Sequence, residues 1–537
     1  MSNAVAAIRP GGSSPATDLV VAPVVAAQRN FSLKRVAAFI FMVFGMFMAI
    51  LDIQIVSASL SQIQAGLSAS SDEITWVQTS YLIAEVVMIP LSGFLSRVVS
   101  TRVIFTISAG GFTLMSFMCA HANTIEQMIL WRALQGFIGG GMIPTVFASA
   151  YTIFPRSKLP LVAPIIGLVA TLAPTIGPTV GGYLTDWFSW HWLFFINIVP
   201  GILVTIAAIT LIDFDKPNLS LFERFDWIGL IFMALFLGAL EYVLEDGPRY
   251  DWFEDSTIAF AAAVSAASAV IFFARVLIAR QPIVDLRAFV DRNFALGSMF
   301  SFVLGIGLYG LTYLYPIYLG EIRGYNALMI GQTLFISGAT MFLTAPIVGS
   351  LMTRIDARLM LAAGFAIVAI SNWQMSYLTR DWDFWQLLVP QVLRGFGMMF
   401  AIVPITNISL GTLAPDRLKN ASGLFNLTRN LGGAVGLAGL NTVLDKRIDL
   451  HLARLHESIT WARKPVLETL NGLAARIPGS DAKNMALKQL FLFTRLQGTV
   501  MAFADVFLLL CLMFMVFAGL VWLMRRPPPV TAEVSAH

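Results

Sequence analysis

The chain has 537 residues, 57% of them hydrophobic and 12% charged, with a formal net charge of +4. A soluble domain carries roughly 25% charged residues to cover its surface, so a water-soluble fold of this size is excluded and the composition requires a bilayer as solvent. In a soluble protein the positive balance would hint at nucleic acid, but here basic residues follow membrane topology, and no nucleic-acid partner is read.

Residues 1–35 are rich in Ala, Pro, Gly and Ser without the pattern of a signal peptide, and read as a disordered cytoplasmic tail. Apolar runs long enough to cross roughly 30 Å of hydrocarbon then recur to the end of the chain. Fourteen spans are expected, at 36–58, 74–95, 102–121, 126–149, 160–184, 190–212, 226–245, 257–279, 293–318, 327–351, 358–378, 384–411, 420–444 and 497–524. Lys and Arg collect on alternate connections: Arg97/Arg102, Arg156/Lys158, Lys216/Arg224, Arg275/Arg280/Arg287/Arg292, Arg354/Arg358 and Arg417/Lys419, with Lys34, Arg35, Arg525 and Arg526 on the tails. The short connections on the other side hold only Arg249, Arg323 and Arg380. This alternation supports an even count and two cytoplasmic ends.

A sequence repeat divides the chain. GFLSRVVSTR at 93–102 is echoed by GSLMTRIDAR at 349–358, each between an inward-running span and the next. Two related helical halves are the architecture of many secondary transporters. The expected domains are a six-helix bundle at 36–212, two inserted helices with linkers at 213–292, a second six-helix bundle at 293–524 and a cytoplasmic tail at 525–537. The second bundle includes a long outer loop at 446–495. Helical spacing of Leu452, Leu455, Ile459 and Ala462, broken by Pro465, makes that loop a helical hairpin at the membrane surface or a docking element for a partner.

Ionisable residues inside spans are functional candidates, because a charge at mid-bilayer costs about 2.5–3.5 kcal/mol. They are Asp52, Glu85, Arg132, Arg394 and Arg429; Glu241 and Asp505 lie nearer span ends, where snorkelling or a structural role is expected. Three polar stripes have helical spacing: Gln78, Tyr81 and Glu85; Arg132, Gln135, Gly136 and Gly139; and Ser422, Asn426, Arg429, Asn430 and Gly433. Three such stripes imply a shared aqueous cavity. Asp52 and Arg132 fall at matching depth, so they can pair across the bundle, with burial and the neighbouring cation pulling the carboxyl's protonation in opposite directions. A static ion pair that only fixes packing is the alternative. Glu85 fits proton or cationic-substrate binding, or an internal helix contact. Cys119 and Cys511, in separate apolar runs, read as packing residues, and neither a disulfide nor a metal site is expected.

At these residues the chain resembles the major facilitator superfamily, in particular its fourteen-helix drug:proton antiporter branch, the EmrB/QacA-type exporters. LDIQIV at 51–56 resembles the span 1 motif with its proton-coupling acid, and LWRALQG at 130–136 the span 4 motif with its Arg. Gly177, Pro178, Gly181 and Gly182 resemble the antiporter motif of span 5, WLFFIN at 192–197 is similar to its sequel, and LEYVLEDGPRYDWF at 240–253 is similar to the loop after the first inserted helix. The gating loop, with Gly93, Arg97 and Arg102, lacks the Asp that the superfamily usually carries there. The resemblance implies an all-α integral membrane protein with the major facilitator fold, two six-helix bundles plus two inserted central helices. It also implies a multi-pass protein of the bacterial inner membrane, and the long outer loop resembles that of exporters working with a periplasmic adaptor and an outer-membrane channel.

The function expected is proton-coupled export of small hydrophobic or amphipathic drugs by alternating access, driven by the proton gradient with no cofactor. Asp52, Arg132 and Glu85 would couple protons. Trp76, Gln78, Tyr81, Gln135, Tyr309, Tyr313, Arg394, Asn407, Asn426 and Arg429 would line the substrate cavity. The alternative is export of one metabolite, siderophore or lipid precursor. A membrane enzyme is disfavoured, since the five histidines are scattered, and an ATP-driven pump lacks its GxxxxGK[ST] loop.

Overall fold

The computed structural model describes residues 33–155, 158–279, 282–413, 417–477 and 481–526, and all regular structure among them is helical. The expected tail disorder, and Arg156 and Arg280 of the basic loops, lie outside these residues. The first half comprises Leu33–Ser57 (α1), a short Leu60–Leu67 (α2), Ser71–Val98 (α3), Thr101–Ala120 (α4), Ile125–Gly139 (α5), Met142–Ile153 (α6), Leu159–Trp187 (α7), Trp192–Phe195 (α8) and Ile198–Leu211 (α9). Trp227–Asp246 (α10) and Ser256–Ile278 (α11) are the inserted pair. The second half is Arg292–Ile317 (α12), Ala327–Leu351 (α13), Ala357–Met375 (α14), Phe384–Gly411 (α15), Leu418–Ser458 (α16), Lys464–Ala474 (α17) and Ala482–Leu520 (α18).

Helix starts follow local chemistry. Ser70 and Asp383 form capping boxes with Glu73 and Gln386, and Thr124, Asp226, Asp255, Asp291, Asn326 and Asp356 accept first-turn backbone N–H groups. Eleven helices among the described residues are long and apolar enough to cross a membrane. They become twelve when the two pieces of α7, Val162–Pro174 and Ile176–Trp187, bent by 44°, are taken as one span. The bend sits among Pro174 and Pro178, which interrupt the backbone ladder. The remaining two of the fourteen segments expected to span are helical, as α14 and the first part of α16, but are not among these twelve. Both carry polar residues, Asn372 and Gln374 in the one and Asn426, Arg429 and Asn430 in the other; α16 is largely enclosed here, whereas α14 exposes Leu359, Ile370 and Trp373.

The halves meet through equivalent pairs. α3, the second span, packs on α16, the fifth of the second half, while α7, the fifth span, packs on α13, the second of the other half. That pairing is the pseudo-two-fold arrangement which the sequence repeat implies. α10 packs on α3, α11 and α16. Only 28% of the apolar window of each inserted helix is buried, against 72% for α3, so the insert presents most of its surface to lipid.

The 446–495 segment is mostly two helices that do not stop. α16 runs 41 residues from Leu418 to Ser458, about 60 Å at 1.5 Å per residue and roughly twice the hydrocarbon thickness. α18 starts at Ala482 and continues into the last span, and α17, with Pro465 in its first turn, packs on α18. The segment is thus a stiff projection of the bundle. Its base is tied by His451 Nε2 to Asp505 Oδ2 at 2.7 Å and by Arg447 to the same oxygen at 3.6 Å.

Candidate functional site

Asp52 of α1 and Arg132 of α5 meet in the first half, both with 0% side-chain exposure and 2.6 Å apart from Nη1 to Oδ2. The stripe beginning at Arg132 faces inward: Gln135 is fully buried, Gly136 lies against the Tyr81 carbonyl, and Gly139 faces the Phe112 ring. Arg132 also donates from Nη1 to Gln135 Oε1 at 2.8 Å and from Nε to the Val77 carbonyl at 3.2 Å. Its guanidinium lies 4.2 Å from the Tyr81 ring centroid. On Asp52, Oδ1 accepts from Asn197 Nδ2 at 2.7 Å and from Gln135 Nε2 at 3.4 Å. Asn197 is held in turn by Ser116 Oγ at 3.1 Å. A buried ion pair adds little net stability compared with apolar packing.

Asn197 was legible only as part of the motif following span 5. Its own signal was a buried amide at the start of α9, a position where a polar group needs a partner inside the bundle.

Beside this pair lies a cavity of about 410 Å³ walled by α1, α3, α6, α7, α10, α12 and α16. Ile53 and Gln54, next to Asp52, line it, as does Gln78, next to Val77, so the ion pair stands directly behind the cavity wall. Of the expected residues, Gln78, Glu85, Tyr309, Tyr313 and Pro178 line it. The Tyr309 hydroxyl bonds Asn430 Oδ1 at 3.4 Å and the Tyr313 hydroxyl bonds Asn441 Oδ1 at 2.8 Å. Glu241, expected near a span end with a snorkelling or structural role, lies five residues before the end of α10, is 6% exposed and lines the cavity with Glu245. Sequence alone could not place them there, because the inserted helix packs on both halves only in the folded bundle.

The other expected cavity residues lie elsewhere in this conformation. Tyr81 and Gln135 belong to the ion-pair cluster. Trp76 stacks on Tyr242 of α10 with centroids 5.4 Å apart. Arg394 donates to Thr312 Oγ1 at 3.0 Å, over the Tyr315 ring. Asn407 donates to the Val403 carbonyl of its own helix at 3.4 Å. Asn426 Oδ1 accepts from Arg429 Nη2 at 2.7 Å, and Arg429 lies over the Phe147 ring of the first half at 5.3 Å.

Glycines of the span 5 motif explain the closeness of α7 and α1. A Cβ at Gly177 would strike Gln54, and one at Gly181 would come within 2.8 Å of the Ile55 carbonyl; Gly182 follows, half-buried.

At the face holding the start of α1, the first repeat copy contacts the second half. A Cβ on Gly93 would lie 2.8 Å from the Lys419 carbonyl. Arg97 is half-buried over the Phe94 ring and Arg102 is exposed. In the second copy Asp356 caps α14 in place, and hydrogen bonds from Arg358 hold its carboxyl below the usual range. In the first copy the acid comes from elsewhere: Asp215 Oδ2 accepts from Thr101 N at 2.8 Å, Thr101 Oγ1 at 2.6 Å and Lys419 Nζ at 2.5 Å. Lys419 also donates to the Ser96 carbonyl at 3.1 Å. Two further bonds join the halves near this face, Tyr151 to the Thr406 carbonyl at 3.0 Å and Ser422 to the Pro144 carbonyl at 3.3 Å.

Comparison with known proteins agrees with this architecture. The family model described as Major Facilitator Superfamily matches residues 42–437. The chain is 40% identical over 505 residues to the "Colistin resistance protein EmrB" of Acinetobacter baumannii, covering 94% of this chain and 99% of that one. It is 30% identical to the "Fatty acid resistance protein FarB" of Neisseria gonorrhoeae, covering 90% and 94%, and 28% identical to the "Multidrug export protein EmrB" of Escherichia coli K12, covering 90% and 93%. Among solved structures, the human organic anion transporter MFSD10 (TETRAN) matches with a TM-score of 0.56 at 12% identity, over 89% of this chain and 99% of that one, a likeness of fold.

Proposed function

The chain belongs to the Major Facilitator Superfamily, and we propose that within it the chain exports hydrophobic or amphipathic drugs in exchange for protons by alternating access. The observation that carries this reading is the fully buried Asp52–Arg132 pair set behind a cavity wall shared by both halves. In this reading a proton reaches that carboxyl through the cavity. Proton uptake at Asp52 releases Arg132, and Arg132 is bonded to Val77, next to the lining residue Gln78. Proton occupancy and cavity shape are thereby linked through adjacent residues. Glu85, buried in the same cavity, is the second proton-binding group. The names of the relatives, multidrug export and resistance to colistin and fatty acids, favour amphipathic compounds.

Fourteen crossings, two cytoplasmic ends and the bacterial inner membrane complete the topology. The face holding Lys419 and Asp215 is then cytoplasmic, and their bond latches the halves there while the cavity serves the outer side. The α16–α17–α18 projection points outward and meets a periplasmic adaptor that leads to an outer-membrane channel. Crosslinking from the 446–495 segment in cells tests that contact.

The central test uses purified protein in liposomes. A fluorescent amphipathic dye accumulates only when a pH gradient is imposed, and Asp52→Asn abolishes accumulation. Gradient-dependent transport that survives Asp52→Asn removes Asp52 from the mechanism, and transport by the unaltered protein without any gradient removes proton exchange altogether.

A further inference from the structure

The motif at 240–253 ends α10 and forms the loop toward α11, and neither the buried ion pair nor the Lys419–Asp215 latch uses it. Near the latch, α3 and α16 touch backbone to backbone, with Gly93 against the Lys419 carbonyl and Gly423 against the Ile89 carbonyl. Farther from the latch both helices line the cavity, α3 with Gln78 and Leu82 and α16 with Leu437 and Asn441. α10 packs on both of them, and its Leu244 and Pro248 complete that stretch of wall. Since most of α10 faces lipid, it stands between this part of the cavity and the bilayer.

The insert is tied to both flanks. On the α3 side, Arg249 Nη2 bonds Asp72 Oδ1 at 2.6 Å, Tyr242 stacks on Trp76, and Gly238 lies against Ile83. On the α16 side, Trp252 Nε1 donates to Thr442 Oγ1 at 2.9 Å, and the Thr442 hydroxyl donates in turn to the Ala438 carbonyl at 2.8 Å. The backbone carrying that indole is left-handed at two successive residues, with φ of 52° at Asp251 and 59° at Trp252. A bulky L residue rarely adopts this conformation, and it persists where the surroundings impose it. Here Trp252 N bonds the Gly247 carbonyl at 2.8 Å, and the indole folds back so closely on the end of α10 that a Cβ at Gly247 would come within 2.9 Å of it.

We propose that the inserted helix pair is a shutter across the outer seam between α3 and α16. It travels with the first half, and the Trp252–Thr442 bond forms when the cavity serves the outer side and breaks when that side closes. Rocking of the halves brings the outer ends of α3 and α16 together across the width that α10 fills, so one flank has to release. The α3 flank is held by a ring stack, an ion pair and close packing, whereas the α16 flank hangs on a strained loop. With the shutter in place, amphipathic cargo leaves toward the α16–α18 projection and is kept from the surrounding lipid. Trp252 is thus a positioning residue. The inference rests on the alternating-access reading above and gives the insert a part in it.

The test locks each flank in the full chain in liposomes and measures gradient-driven dye uptake. Trp252→Cys/Thr442→Cys and Asp72→Cys/Arg249→Cys are each bridged with a short bis-methanethiosulfonate, which dithiothreitol cleaves; Cys119 and Cys511 are buried and stay in place. Bridging 252 to 442 should slow uptake at least tenfold, with recovery on cleavage, whereas bridging 72 to 249 should change it less than twofold. Uptake unaffected by the first bridge, arrest by the second, or failure of either bridge to form overturns the inference and leaves export intact. An unaltered protein that moves no dye refutes the export reading itself. Trp252→Phe gives a readout without crosslinking, since it keeps a ring beside Gly247 and loses the N–H. In that variant a cysteine introduced at Ser422, behind the cytoplasmic latch, should react about twofold to tenfold faster, because the outer-facing state has lost one hydrogen bond. Unchanged reactivity overturns the inference.

Discussion

The Asp52–Arg132 pair permits a prediction with a sign for stability and another for transport. Arg132→Ala leaves the Asp52 carboxyl fully buried with two amide donors, Asn197 at 2.7 Å and Gln135 at 3.4 Å. Removing one member of a buried pair costs about 3–5 kcal/mol, most of it from the charge left uncompensated. Asp52→Asn should cost less, about 2–3 kcal/mol, because the amide keeps the volume of the carboxyl and Arg132 keeps Gln135, the Val77 carbonyl and the Tyr81 ring. The neutral double variant Asp52→Asn/Arg132→Ala leaves neither charge orphaned. Its cost should therefore fall below the sum of the single changes by about 2–3 kcal/mol, the upper part of the range of roughly 0.5–3 kcal/mol for residues in direct contact. Reversible denaturation of the detergent-purified protein measures the three values. Transport should separate from stability, with the double variant folding well yet failing to couple uptake to a pH gradient. Single-variant costs that add within about 0.5 kcal/mol would refute the coupling assigned to this pair.

Other expectations follow from particular contacts. Lys419→Ala or Asp215→Ala should open the face they close, raising the reactivity of a cysteine introduced at Ser422, and the swapped pair Asp215→Lys/Lys419→Asp should restore protection; unchanged reactivity argues against a latch. Gly136→Val should destabilise by about 1–3 kcal/mol and stop uptake, since the new side chain meets the rigid Tyr81 backbone, whereas Gly439→Ala, with nothing within 4 Å of its Cβ, should be silent in both assays. Asp226→Ala removes the cap of α10, a bond to Gly229 N at 3.0 Å, and the bond from Arg275 at 2.9 Å. It should cost about 1–2 kcal/mol and raise hydrogen exchange at the start of α10 and the end of α11 before the rest of the bundle changes.

Helix chemistry was the most legible part of the molecule. The first turns at Ser70, Thr124, Asp226, Asp255 and Asp383 begin where a short polar side chain precedes an apolar run, because the cap is satisfied within four residues. The stripe from Arg132 to Gly139 also fixed its own inward face, since lipid excludes charge and small residues permit close helix approach. Long loops were less legible: 446–495 was expected to be a helical hairpin at the membrane surface or a docking element, and α16 runs into it as far as Ser458 while α18 already begins at Ala482, because low hydropathy ends a span without ending a helix.

Sequence by itself determined that the chain lives in a bilayer, that it is built of two related halves, and that Asp52 and Arg132 lie at one depth. Those properties depend on composition, period and local order, which a linear chain displays. Tertiary structure decided which polar residues share a space. It gave Asp52 a third partner in Asn197, 145 residues away, supplied the missing acid of the first repeat from Asp215, and placed Glu241, near the end of α10, on the cavity wall. Each depends on how separate helices rotate and pack against one another, and a helical face does not name its neighbour until the bundle has closed.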